Sequence, residues 1–329
     1  MKQAYSVAHI SHGVSVTGGY LHEQFVFNSV CNSLEEQGCR VSKYHFRTNR
    51  FFKGLSQLKM VWQGMVHAQS NLNLVSNWMA LYAIWRNVFA KRKIVITWHH
   101  HDEADVKTTM TRLYMKWLFN ILANTRSTHI AIMVVSDYWA TYFKSKVSPS
   151  VEIVHFPNLF DTTYYQSFKQ TKIPKQIYLG QYAFKTDDGI FELAHQLTKQ
   201  GYSCFFTTLI QSQVGKFDNY EINRFDNHSD YLNKLAQSAY SIAYIKLNEG
   251  WNRVAHESIL VGTQVIGNNK GGLSDLLKES NSLVAHTVEE FSTIILQNQT
   301  ASVNPDFIRK YDASNRSIYS KGIIDFIEK

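Results

Sequence analysis

The sequence predicts an α/β protein of two Rossmann-like, parallel-sheet domains facing a cleft, and three observations carry that expectation. Strand-like and helix-like segments alternate almost throughout the chain, the pattern of parallel sheets covered by helices. At 329 residues the chain is long enough for two domains that each bury a core. The alternation restarts after a polar, basic, proline-bearing stretch, Gln166–Lys175, which reads as a linker. The domains expected on this basis are 1–165 and 176–306. Ligands of such sheets bind beyond the carboxyl ends of strands, so the chemistry should lie in loops just after strands.

Taken in order, Tyr5–Ile10 is a short strand ending in the glycine-bearing turn SHGVSVTGGY. Helix-spaced apolar residues follow over Leu21–Leu34 and stop near Gly38. Lys93–Trp98 (KIVITW), Ile130–Val135 (IAIMVV) and Val151–His155 read as buried strands, the last before the turn Pro157–Asn158. After the linker come strand Gln176–Leu179, helix Gly189–Gln200, strand Ser203–Leu209, strand Tyr220–Phe225, helix Ser229–Ser238 and strand Ser241–Ile245. No internal repeat or low-complexity tract interrupts this order.

Composition narrows the function classes. Hydrophobic residues make up 44% of the chain, too many for a disordered one, and four prolines and sixteen glycines exclude collagen-like sequence. Cys31, Cys39 and Cys204 cannot build a disulfide framework, and no CxxC pair points to zinc, so a reducing, cytoplasmic setting is expected. The opening MKQAYSVAHISHG lacks the charged lead and apolar core of a signal peptide. Charge is lopsided: residues 1–165 hold 17 Lys/Arg against 9 Asp/Glu, so the whole formal +8 lies in the first half. Such an excess points to a polyanionic partner, nucleic acid or an anionic membrane surface.

The first half offers a place for that contact. Phe51, Leu55, Leu58, Trp62 and Met65 fall on one helical stripe rimmed by Arg50, Lys53 and Lys59. Arg86, Lys91–Lys93, Arg112 and Lys116 extend the basic material. A basic amphipathic helix can lie on an anionic leaflet, or it can simply pack in a core with a solvated rim. No nucleic-acid motif accompanies it, so nucleic acid is not an expected partner.

The chemistry-bearing stretch is Glu249-Gly-Trp-Asn-Arg-Val-Ala-His-Glu257, after the strand Ser241–Ile245. Glu249 should sit in the loop and Glu257 on a helix that opens between them, with the amides of Trp251 to Val254 presenting an anion or hydroxyl site. Two solvated glutamates on a surface helix are the plain alternative. Beyond Glu257 the chain reads SILVGTQVIGNNKGGLSDLL. In this order of residues the sequence resembles the retaining glycosyltransferases of the GT-B fold, family 4-like. Their second domain carries E-G-F-G-x-x-x-x-E, then G-x-P-V-I and a G-G-x-x-E turn. Glu249, Gly250, Trp251, Glu257, Gly262, Val265, Ile266, Gly271, Gly272 and Asp275 match in order. Asn252 replaces the second glycine, Gln264 the proline and Asp275 the glutamate.

Other pieces follow in the same order. Phe156-Pro157-Asn158-Leu159-Phe160-Asp161 resembles the P-N-G-hydrophobic-D turn that closes the family's first domain. Ile177-Tyr-Leu-Gly180-Gln181-Tyr-Ala-Phe-Lys185 resembles the strand and G-R-x-x-x-x-K turn that opens the second. There the arginine and lysine grip the donor diphosphate. Lys185 is kept one position early, while Gln181 supplies an amide and no charge. Another cation then compensates, Arg253 being a candidate, or donor affinity falls. Gly18 and Gly19 after the first strand can let backbone amides approach phosphates, although their spacing is not the dinucleotide fingerprint.

Thr97-Trp98-His99-His100-His101-Asp102-Glu103 ends the KIVITW strand. Three histidines with carboxylates invite a metal, but consecutive residues of an extended chain point to opposite sides, so a metal site is not expected. The resemblance offers His99, and after it His101, as the histidine that lines the donor-sugar pocket, with Asp102 placed to orient an imidazole.

The resemblance implies two further things. The segment 307–329 is the helical piece that packs back on the first domain in this fold. The activity is transfer of a sugar from a nucleotide-sugar, UDP- or GDP-linked, to a glycan or glycolipid hydroxyl, as in surface polysaccharide or lipopolysaccharide synthesis. Anomeric configuration is retained, without metal or other cofactor. Glu257 binds the donor ribose, Glu249 the transferred sugar, and His99 its hydroxyls from the other domain. Lys185 and amides near Gly19 and Val254 offset charge on the leaving diphosphate. A sugar-nucleotide epimerase, a phosphorylase or a non-catalytic nucleotide- or glycan-binding homologue stays open, the last because of Gln181 and Asn252.

Overall fold

The computed structural model describes residues 4–11, 18–47, 70–90, 92–102 and 108–329. They form two compact units: Met1–Asn158 with Ser314–Lys329, and Leu159–Ala313. Each unit is built on a mainly parallel sheet flanked by helices, the α/β architecture expected from the alternation.

In the first unit six strands run in the order β2-β1-β3-β4-β5-β6. They are β1 (Ala4–Ser11), β2 (Arg40–Arg47), β3 (Leu72–Ser76), β4 (Lys93–Thr97), β5 (Ile130–Val134) and β6 (Glu152–His155), all paired in parallel. β3, β4 and β5 are buried along their whole length, which is why they read as unbroken apolar runs. Strand order reverses at β1, so right-handed crossovers send helices to both faces. The helix Gly18–Glu36 packs against the chain-terminal helix Arg316–Glu328.

The second unit has seven strands in the order β13-β12-β11-β7-β8-β10-β9. They are β7 (Ile173–Gln181), β8 (Ser203–Thr207), β9 (Gly215–Lys216), β10 (Glu221–Asn223), β11 (Ser238–Ala243), β12 (Gln264–Gly267) and β13 (Leu283–Val284). All pairs are parallel except β9 with β10. Here the order reverses between β7 and β11, the neighbouring strands whose following loops carry Lys185 and Glu249.

Several segments differ from the sequence reading. β3 and the helix Ala80–Ala90, joined by a single 3-10 turn at Asn77–Met79, have no counterpart in that reading. β2 was not anticipated: it is an edge strand with the mixed sequence RVSKYHFR, mostly exposed and without a clear apolar face. The polar stretch 166–175 lies inside the second unit, where Ile173 donates its amide to the Gln237 carbonyl and Lys172 Nζ donates to the Ala236 carbonyl. The segment 307–329 is two pieces. Pro305–Lys310 belongs to the second unit and Arg316–Glu328 to the first. The break falls at Tyr311–Ala313, where the chain instead pairs with Phe160: the Phe160 amide donates to the Tyr311 carbonyl and the Ala313 amide to Phe160.

Candidate active site

In the second unit the loops after β7 and β11 meet through a charge pair, Lys185 Nζ to Glu249 Oε1 at 3.3 Å. Backbone contacts align the loops independently, since the Lys246 amide donates to the Lys185 carbonyl and Thr186 bridges Ile245. Glu249 is fixed from its other side by the turn after β12. The Gly272 amide donates to the Glu249 carbonyl at 2.8 Å, and Gly271 bridges Glu249 with φ +61. A Cβ on Gly271 would stand 2.5 Å from the Glu249 carbonyl oxygen, so this approach admits glycine alone.

Gly250 and Trp251 are buried and lead into the helix Arg253–Leu260. Asn252 takes the left-handed conformation, φ 55, which asparagine tolerates almost as glycine does. That explains how it stands where the family has glycine. Its Oδ1 also caps the helix by accepting from the Ala255 amide, while the amides of Arg253 and Val254 lack intrahelical acceptors. Trp251 is locked from behind: its Nε1–H donates to His256 Nδ1 at 2.9 Å, and both rings pack on Tyr311. His256 is fully buried, and burial followed by the nearby Arg253 charge holds it neutral, far below the usual histidine range.

Glu257 is 4% exposed. Arg253 Nε donates to its Oε1 at 3.0 Å, Tyr165 Oη at 3.3 Å, and His228 Nε2 lies 3.6 Å away. Burial alone would raise the carboxyl, but His228 and Arg253 reverse this and hold it below the ordinary value. Arg253 also stacks over Phe160, 4.8 Å from the ring centroid. Its guanidinium is therefore engaged with Glu257, Tyr165 and Phe160. Gln181 is exposed at the end of β7. Two further lysines stand on the loops after β11 and β12, Lys246 and Lys270, with Lys270 Nζ donating to the Lys246 carbonyl at 3.3 Å. The sequence reading missed both.

In the first unit His99 follows β4 and faces Glu23 on the helix Gly18–Glu36, Nε2 to Oε1 at 3.5 Å. Gly19 lies beside His99: a Cβ there would stand 3.4 Å from His99 Cδ2, an ordinary contact that does not itself require glycine. Gly18 is the first residue of the helix. His22 stacks edge-on against His99 with centroids 5.2 Å apart. His101 goes elsewhere, onto Phe119 and Trp98. Among the described residues no group of three or more His, Cys, Asp or Glu is arranged to hold a metal ion. Glu23, which the sequence reading did not single out, is 6% exposed and also accepts from Ser11, His9 and Thr97. Arg50, Lys53 and Lys59 lie outside the described residues.

No protein-family model matches the chain, and no curated protein does. Solved structures do. HepE of Anabaena, solved with UDP-glucose, aligns with a TM-score of 0.70 at 12% identity, over 98% of this chain and 99% of that one. The lipopolysaccharide outer core galactosyltransferase WaaB aligns at 0.63 and 13%, over 98% and 99%. Sucrose-phosphate synthase of Thermosynechococcus elongatus aligns at 0.61 and 12%, over 98% and 96%. The fold is thus that of GT-B glycosyltransferases along the full chain.

Proposed function

We propose that the protein is a glycosyltransferase that moves a sugar from a nucleotide-sugar donor to an acceptor hydroxyl. One observation carries the reading: Lys185 and Glu249 pair on the loops after β7 and β11, where the sheet order of the second unit reverses, and buried Glu257 lies on the helix that follows Glu249. Lys185 offsets charge on the diphosphate as it leaves, assisted by the amides of Arg253 and Val254. Glu257 takes the ribose hydroxyls, and Glu249 takes hydroxyls of the transferred sugar and favours its positive charge. Gly250, Trp251 and Asn252 shape the loop between them. Arg253 acts through Glu257, holding it ionised. His99 binds sugar hydroxyls. A UDP-linked donor is the first to try, because HepE was solved with UDP-glucose; GDP is the second. Retention of configuration and independence of metal belong to the same reading and rest on the motif order from Glu249 to Asp275.

The acceptor in this reading is a glycan or glycolipid met at an anionic membrane surface. Tyr82 and Trp85 on one helix, and Met110, Leu113, Trp117 and Ile121 on the helix Thr109–Asn124, are exposed, Trp117 at 66%. Tyr114 ties the two helices together by donating to the Asn77 carbonyl and accepting from the Leu81 amide. No Asp or Glu occurs between Glu36 and Asp102, nor between Asp105 and Asp137, so the charges on these helices are all basic. No helix among the described residues is long and apolar enough to cross a membrane. Contact at the surface is what such a patch supports.

Thermal melts with UDP, GDP, ADP and CMP and their sugar conjugates test the donor site. A ligand at 100 times its Kd adds about 2.7 kcal/mol. Glu249→Gln should keep that shift and lose transfer. A folded protein that no nucleotide stabilises overturns the reading, and a wild type that binds but never transfers favours the non-catalytic homologue. NMR of the product's anomeric proton checks retention, EDTA checks metal independence, and co-sedimentation with anionic against neutral vesicles checks the surface.

A further inference from the structure

Glu23 has no part in the donor contacts assigned above, yet it is among the most tightly held charges in the first unit. Each of its oxygens meets one hydroxyl and one imidazole. Oε2 accepts from Ser11 Oγ at 2.9 Å and contacts His9 Nε2 at 3.3 Å. Oε1 accepts from Thr97 Oγ1 at 3.1 Å and faces His99 Nε2 at 3.5 Å, longer than an ordinary hydrogen bond. The arrangement joins the ends of β1 and β4 to the first turns of the helix Gly18–Glu36. Burial opposes ionisation of Glu23, but the His9 and His99 contacts overcome it and hold the carboxyl well below the ordinary range.

The two imidazoles differ in one respect. His9 is 2% exposed and closed in by Tyr20, Phe27 and His45. The His99 side chain is 22% exposed. A carboxylate that accepts from every neighbour can accept a proton-bearing Nε2 and nothing else from His99. The ring nitrogen left for a ligand is then Nδ1.

We propose that Glu23 is a positioning residue that fixes the proton of His99 on Nε2 and so presents Nδ1 to the sugar. The assignment rests on the transferase reading for its consequence, but the geometry that carries it is independent of that reading. The groups facing His99 among the described residues are Glu23 and His22 from the helix, with His9 reaching it only through the shared carboxylate. Of these, Glu23 alone is an obligate acceptor. A fixed tautomer matters because Nδ1 then accepts from a sugar hydroxyl; in the other form it would donate, and the hydroxyl would have to turn its own proton elsewhere to accept from it.

The test separates positioning from catalysis. Long-range nitrogen–proton NMR at about pH 9, with His99→Gln to assign the signals, reads which ring nitrogen carries the proton. Wild-type protein should show His99 protonated at Nε2, and Glu23→Gln should convert a large share to the Nδ1–H form. If Glu23→Gln does not fold, Glu23→Asp, which withdraws the same charge by one methylene, should give a mixture. In turnover, Glu23→Gln should lower kcat about tenfold or more with a smaller change in donor KM, and should add nothing in the His99→Gln background. Unchanged His99 tautomer in the folded variants overturns the proposal. A wild type without transfer defeats the transferase reading and leaves the NMR result to decide the tautomer alone.

Discussion

The two units each bury an ionised glutamate near the carboxyl edge of a sheet, and they do so by different means. Glu257 is held by a guanidinium four residues away on its own helix, with Tyr165 and His228 behind it. Glu23 is held by two hydroxyls and two imidazoles, none of them a permanent cation, drawn from β1 and from the end of β4. The first arrangement is a locally encoded ion pair. The second is a polar network assembled from distant parts of the chain, in which each donor is weak and the number of them does the holding.

Removing each carboxylate should expose that difference most strongly. Glu257→Ala leaves the Arg253 guanidinium without its partner in a largely buried place, and the cost should be about 3 kcal/mol, with the nucleotide-induced shift lost. Glu23→Ala strands neutral donors instead and should cost about 1–2 kcal/mol. Urea unfolding of both variants measures the gap; equal losses would break the comparison.

Acid should act on both. Each carboxyl is lowered in the folded state from an ordinary value of 4.5, so its stabilisation is complete above that pH and drains away as pH falls through the folded values. Urea midpoints taken from about pH 6 down to about pH 3 should fall in the wild type. Glu257→Gln and Glu23→Gln should each give a shallower fall than the wild type, and an unchanged slope would remove that carboxyl from the account.

Single donors give the smallest effects. Ser11→Ala should cost about 1 kcal/mol, because the Oε2 side of Glu23 then keeps only the longer His9 contact. Tyr165→Phe should cost about 0.5 kcal/mol, because Arg253 still occupies Glu257 Oε1. Melting temperatures of the two variants, compared in one buffer, order them.

The same difference decides what could be read from the sequence. The second unit's site is written in short range: Glu249, Gly250, Asn252, Glu257 and Gly271 lie within one stretch, so their order was visible without coordinates. The Glu23 network joins residues as far apart in the chain as His9 and His99, and no local pattern marks a glutamate on the buried face of a helix as different from any other. Arg253 shows the converse limit. Its place in the sequence suited a diphosphate contact, but nothing local showed that its i,i+4 partner Glu257 would be buried and would take the guanidinium along the helix toward its C-terminal end. In the fold, β4 and β5 were legible as apolar runs, whereas β3 was hidden by running almost directly into a helix and β2 by its exposed, charged edge.

The turn at Gly271 bears on how freely such a chain can drift. With φ +61 and the Glu249 backbone filling the space where a side chain would begin, even a methyl group is excluded. In a saturation library selected for function, position 271 should return glycine alone, while position 252, also left-handed but open to a polar side chain, should return asparagine, glycine and aspartate. Structures of this fold at 12–14% identity differ from this chain at most positions, but at 271 the chain's own drift should stop, because a backbone carbonyl occupies the room that a side chain would need.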